Sequence, residues 1–223
     1  MPSREQLVKI AIDTLKLLKE NNGDNQESKN NLASYLYTAD TRLSEYLEKL
    51  KEYTKLKKPT REESKEAGNL LEQIVLLVFP GLEGVQTIKS FQSAGPQYDL
   101  LISGDDVDWS YVCDLLYLDI YKRDIVVEAK ATKSPLPDKQ FARLCSIMNL
   151  NLKGSGLGIF FTLNGASGFP RLNSSRQRAV SDCRLRQIIF YAQTNKIIIV
   201  LDKNDIFELD KNGALLQILT RKI

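Results

Sequence analysis

Two short apolar runs, "DIVVEAK" at 124–130 and "GIFFTL" at 158–163, are separated by a stretch with the length and pattern of a helix. Isoleucine, valine and phenylalanine concentrated in runs of this length are strand signals. Between them "DKQFARLCSIMNLNL" places Phe141, Leu144, Cys145 and Met148 at helical spacing. A strand, a helix and a strand in that order make a parallel crossover, which buries the middle strands on both faces, and the near-continuous apolar run from Gly158 to Leu163 fits that burial. The chain is therefore expected to be an α/β protein with helices on both sides of a central mixed sheet. Further strands are expected at "YDLLIS" (98–103), "LLYLDIY" (115–121) and "KIIIVLD" (196–202), and helices at "SSRQRAVSDCRLRQIIFYAQ" (174–193) and "ALLQILTRKI" (214–223).

The first 59 residues read differently, as a helical N-terminal segment ahead of a domain spanning 60–223. Ser3 and Gln6 form an N-cap pattern before Leu7, Ile10, Ala11, Leu17 and Leu18, and "NNGDNQ" stops that helix. A second pattern begins near Asp40, with Leu43, Leu47 and Leu50 on one stripe and Tyr46 and Tyr53 beside it; it reads as a small packing or dimerisation appendage. Thr60 and Glu63 have the spacing of a capping box, opening an apolar helix that Pro80-Gly81 closes. No apolar run approaches the roughly 20 residues of a membrane helix, and charges break the N-terminus where a signal peptide would be apolar, so a cytoplasmic chain is expected.

Histidine is absent, which removes Ser/His/Asp and Cys/His nucleophiles, histidine bases and imidazole-bound zinc. Chemistry must then rest on carboxylates, lysine, arginine or hydroxyls. Cys113, Cys145 and Cys183 are odd in number and far apart, which fits buried free thiols rather than disulfides or a metal knuckle. A net charge of +3 permits an acidic partner without demanding one.

Within "DIVVEAK", Glu128 and Lys130 lie two positions apart on the expected strand and share a face, while Val127 and Ala129 take the other. A glutamate and a lysine on a β-branched interior strand break the local rule for a buried sheet, and such breaks concentrate at functional sites. An ion pair at a strand end is the plain alternative. Asp99 begins "YDLLIS" after the turn residues Gly95 and Pro96; an antiparallel pairing of 98–128 as an extended hairpin would set it opposite Glu128. Two carboxylates and a lysine at one point would suit Mg²⁺, a hard cation that takes oxygen ligands and keeps water. The stretch between Asp99 and Glu128 contains Asp114 and Asp119, which are rival ligands.

This arrangement resembles the PD-(D/E)xK nuclease superfamily, the fold of many restriction endonucleases, and in particular its Mrr-like branch. Asp99 in "PQYDLL" and Glu128 and Lys130 in "IVVEAK" match the acidic residue and the Glu-x-Lys that bind metal there. Gly68 and Glu72 in "GNLLEQIV" match a glycine and a glutamate of the preceding helix, and the later "GIFFT", "NGASGF" and "IIIVLDKNDIFEL" follow in the branch's order, over about Thr60 to Leu209. The resemblance implies a restriction endonuclease-like three-layer α/β core and a Mg²⁺-dependent DNA endonuclease, with Mn²⁺ as a substitute. It implies Asp99, Glu128 and the Ala129 carbonyl as metal ligands, Lys130 positioning the attacking water, and Glu72 as a further site residue.

Arg171, Arg176, Arg178, Arg184 and Arg186 crowd the stretch from Pro170 to Gln187 against one acid, Asp182. Arginine forks suit phosphate, and the resemblance implies a matching helix near the substrate, so Arg171, Arg176 and Arg178 are expected to contact the DNA backbone; a solvated helix face is the alternative. Cutting both strands would favour a homodimer. No Gly-x-x-x-x-Gly-Lys-Ser is present, so no nucleotide cofactor is expected. The competing functional class is a nuclease-fold protein that binds DNA or a partner protein without cutting.

Overall fold

The computed structural model describes residues 26–91, 98–169 and 181–223, together with Asp13. The helix expected from Ser3 to Leu18 lies outside them apart from Asp13, and so do Arg171, Arg176 and Arg178. In chain order the elements are α1 (Gln26–Leu36), α2 (Leu43–Lys55), α3 (Arg61–Val78), β1 (Thr87–Phe91), β2 (Tyr98–Ser103), α4 (Val107–Leu115), β3 (Asp124–Lys130), α5 (Asp138–Ser146), β4 (Ser155–Thr162), α6 (Asp182–Thr194), β5 (Ile197–Leu201), α7 (Lys203–Ile206) and α8 (Ala214–Lys222).

The five strands form one mixed sheet in the order β1-β2-β3-β4-β5. β2 pairs antiparallel with both β1 and β3, whereas β3, β4 and β5 run parallel. Helices cover both faces. On one face Ile125, Val127 and Ala129 of β3 pack with residues of α1 to α4 and α8; on the other Val126 packs with Phe141, Leu144 and Met148 from α5 and its extension and with Phe190 of α6. β4 is buried along its whole length, as the crossover reading requires.

Local chemistry explains where the elements begin. Thr60 accepts a hydrogen bond from the Glu63 N–H and Glu63 accepts one from the Thr60 N–H, so the capping box at the start of α3 is formed in full. Asp202 and Asp205 form another at α7. The described part of the N-terminal segment is no separate appendage: Leu36, Tyr37, Leu43 and Leu47 are buried in the same cluster as α3 and the sheet. The Tyr37 hydroxyl donates to the Leu209 carbonyl, and the Gly213 N–H donates to the Tyr37 carbonyl at 3.0 Å.

Two expectations are corrected. "LLYLDIY" is not a strand: Leu115 ends α4, and the rest forms turns. Asp106 caps α4 by accepting from the Trp109 N–H at 2.8 Å, and Trp109, Val112, Cys113 and Leu116 are buried at helical spacing. The missing strand is β1, which lies upstream at Thr87–Phe91. β2 and β3 pair as expected but are not joined by a simple hairpin, because α4 is interposed. α5 continues into a π-helical turn at Ile147–Asn151, whose end is held by the buried ammonium of Lys196.

Candidate functional site

The C-terminal ends of β3, β4 and β5 share one edge of the sheet, and β2, running the other way, begins at that edge. In α/β sheets the carboxyl ends of parallel strands are where side chains converge outside the core. The β2–β3 register pairs Leu100 with Val127 and Leu101 with Val126. One step further along the same ladder, Asp99 stands opposite Glu128. Alternation places Glu128 and Lys130 on the face covered by α5, away from Val127 and Ala129.

The distances bear out this convergence. Lys130 Nζ lies 3.7 Å from Asp99 Oδ2 and 3.7 Å from Glu128 Oε2. Asp99 Oδ2 also accepts the Ala129 N–H at 2.5 Å, which ties β2 to β3 at the site. Glu128 is completely buried, whereas Asp99 and Lys130 remain about one-third exposed, with side-chain values of 33% and 27%. The cluster is thus a buried carboxylate whose partners open towards solvent.

α5 contributes a residue that sequence reasoning missed. The Arg143 guanidinium donates through Nη2 to Glu128 Oε1. Phe141 explains the placement: its ring packs 5.0 Å from that of Phe160, the residue paired with Glu128 in β4, so α5 is pinned directly over the site. Gln140 is one turn before Arg143 on the same side of α5. The available signal was that pair of polar residues flanking the apolar stripe of Phe141, Leu144 and Cys145.

Burial pushes the Glu128 carboxyl above the ordinary glutamate range; Lys130 and Arg143 oppose that shift, and Asp99 reinforces it. Glu128 Oε2, Gln140 Oε1 and Arg143 Nε are buried polar atoms without a hydrogen-bond partner. Such atoms are costly in a native interior and call for a water, a ligand, an ion or a role in chemistry; Trp109 Nε1 and Arg123 Nε are two others, away from this cluster. Their concentration on Glu128 and the adjoining side of α5 marks this spot.

The other sequence candidates fall elsewhere. Asp119 sits at the opposite end of the sheet, accepting the Tyr121 N–H at 2.9 Å in a groove shared with Gly156 and Asn195. Asp114 is paired with Arg123 at 3.1 Å. Between the three aspartates, the geometry brings only Asp99 to Glu128. Glu72 is not brought to the cluster: it is exposed on α3, whose buried face packs on the side of the sheet opposite Glu128. Its neighbours on the apolar stripe, Leu71, Ile74 and Val75, take the inward positions and turn it outward. Arg184 and Arg186, the described members of the arginine-rich stretch, are engaged within the protein. Arg184 reaches Gln187, and Arg186 grips Asp138 through two bonds of 2.6 Å, locking α6 to the first turn of α5.

The loops after β3 and β4 are also tied together. The Leu136 N–H donates to Gly165 O at 2.8 Å, Ser167 N–H to Leu136 O at 3.0 Å, and Asn164 Nδ2 to Thr132 O at 2.6 Å. A carboxylate pair, a lysine and an arginine therefore stand on a braced edge.

Comparison with models of known protein families, with curated proteins and with solved structures finds no match to this chain. The fold defines it as an α/β protein with a mixed sheet flanked by helices, and no helix among the described residues is long and apolar enough to cross a membrane.

Proposed function

We propose that the chain is a metal-dependent DNA endonuclease, with Asp99, Glu128 and Lys130 as its active residues. The observation that carries this reading is the meeting of Asp99, Glu128 and Lys130 at one edge of the sheet, with Glu128 Oε2 buried and lacking a hydrogen-bond donor. Support also comes from the element order. α3, β1, β2, β3, α5 and β4 keep the order helix, three strands, helix, strand that the resemblance to restriction endonuclease-like nucleases implies, with α4 inserted between β2 and β3 as a departure from it.

The donor set fits Mg²⁺ or Mn²⁺. Among the described residues no three acidic, cysteine or histidine side chains cluster, but Mg²⁺ commonly takes one or two carboxylates and fills its remaining positions with water and substrate oxygens. Asp99 and Glu128 would hold the ion, with the Ala129 carbonyl as a third oxygen. When bound, the ion would supply positive charge to the reacting phosphate and lower the pKa of a bound water. Lys130, between the two carboxylates, orients the attacking water and offsets negative charge on the phosphate. The Asp99 bond to the Ala129 N–H fixes the carboxylate before substrate arrives.

One observation favours the competing class, a nuclease-fold protein that binds without cutting: Arg143 already holds Glu128 Oε1. Supercoiled plasmid separates the two. Incubation with EDTA, Mg²⁺ or Mn²⁺ should give metal-dependent nicking by wild type that disappears in Asp99→Ala and Lys130→Ala. Salt-sensitive plasmid retardation with no nicking under any metal would instead establish the non-cutting protein.

A further inference from the structure

Arg143 presents a charge problem that the proposed metal site must solve. Asp99 and Glu128 supply two negative charges, and Lys130 and Arg143 already supply two positive ones. A divalent cation added to that neutral group would place four positive charges around two carboxylates in a partly buried space, where like-charge repulsion is only weakly screened. Glu128 has no solvent exposure through which to relieve it. Of the two cations, Lys130 belongs to the core strand. Arg143 is anchored on a covering helix, its side chain is 38% exposed, and its Nε makes no hydrogen bond. It is the group free to leave.

We infer that Arg143 is a built-in counter-ion of Glu128 that exchanges with the divalent cation, so that metal loading requires the guanidinium to swing out of the site. This rests on the reading of Asp99 and Glu128 as a metal site and adds to it a positioning residue from α5. In the metal-free protein Arg143 keeps the buried carboxylate compensated. When it is displaced, its planar fork faces the open side of the site, and a phosphate diester is the natural anion to receive it. A substrate that draws Arg143 away removes the competitor for Glu128, so DNA and metal should each tighten the binding of the other.

The test is Mn²⁺ binding without DNA, read from the loss of the free-ion electron paramagnetic resonance signal. Arg143→Gln should lower the half-saturating Mn²⁺ concentration by about ten- to a hundredfold, the range expected for losing one charge-assisted hydrogen bond. Arg143→Met, which keeps the aliphatic stem, should do the same and carries the measurement if the glutamine variant folds poorly. Lys133→Gln removes an equal charge from the loop that follows β3, where Lys133 contacts Pro59 O at 3.1 Å, and should change the value less than about threefold. Equal or weaker Mn²⁺ binding by the Arg143 variants than by wild type would overturn the exchange while leaving the metal site standing. An equal effect of Lys133→Gln would overturn it too, by reducing it to general field strength. No Mn²⁺ binding by wild type or by any variant would overturn the metal-site reading itself, and the exchange with it.

Discussion

Replacing Lys196 by methionine tests whether α5 is held over the site by a buried ammonium. Lys196 is 4% exposed, and its Nζ donates to the carbonyls of Met148 at 2.5 Å, Leu152 at 3.2 Å and Lys153 at 3.2 Å. These carbonyls lie at the end of the helical segment that begins as α5 and in the turn that follows, where backbone acceptors run out of intrahelical donors. Methionine matches the stem and volume but donates nothing. Three charge-assisted bonds at roughly 1.5–3 kcal/mol each set the gross loss. The dehydration of an ammonium, several kcal/mol, is recovered in the variant and offsets much of that loss. A net destabilisation of about 2–4 kcal/mol remains, which for a chain of this size lowers Tm by roughly 5–12 °C. Urea unfolding followed by circular dichroism, with a parallel thermal scan, measures both quantities. A variant within about 0.5 kcal/mol of wild type would refute the reasoning, because the carbonyl cage would then contribute no more than an ordinary surface contact.

Glu128 makes a pH prediction with a definite sign. A folded-state pKa raised by burial contributes stability that is present below the ordinary glutamate value and lost as pH climbs through the raised value. In EDTA, the stability of wild type relative to Glu128→Gln should therefore fall as pH rises above the ordinary glutamate value of about 4.3; a urea-midpoint difference that stays flat or rises would sink the account. Two glycines of β4 separate a hard clash from a soft one. A Cβ at Gly156 would lie 2.0 Å from the Lys122 carbonyl, whereas one at Gly158 would meet side-chain atoms, the nearest being Met148 Sδ at 2.7 Å. Gly158→Ala should cost about 1–3 kcal/mol by overpacking, and Gly156→Ala more, since backbone must move; denaturant titration giving the opposite order would contradict the packing.

Much of the scaffold is legible before folding is considered. Runs of β-branched and aromatic residues mark β2, β3, β4 and β5, and the Thr60–Glu63 pair marks the start of α3. These signals are local: a side-chain period of two, or a hydroxyl and a carboxylate three residues apart, acts within one element. "LLYLDIY" carries a strand-like signal for the same reason. Short apolar runs serve a buried helix as well as a strand, and here the cap at Asp106 and the burial of Trp109 and Val112 decided for helix. β1 carries no comparable signal, because "TIKSF" alternates too briefly to stand out.

Within the candidate site, the sequence alone placed Glu128 and Lys130 on one face, because strand geometry requires it. It also made Asp99 a contender by its place at the opening of a strand. The turn residues before Asp99 favour it over Asp114 and Asp119, but only the tertiary structure brings it beside Glu128, since a register between strands separated by an inserted helix depends on packing that no local pattern encodes. The same holds for Glu72, whose outward turn is set by which stripe of α3 meets the sheet. Arg143 is the clearest case. Its contact with Glu128 arises from two residues fifteen positions apart on different layers, brought together by Phe141 seating on Phe160. Sequence periodicity determines which way a side chain leaves its own element; the docking of one layer on another determines what it meets there.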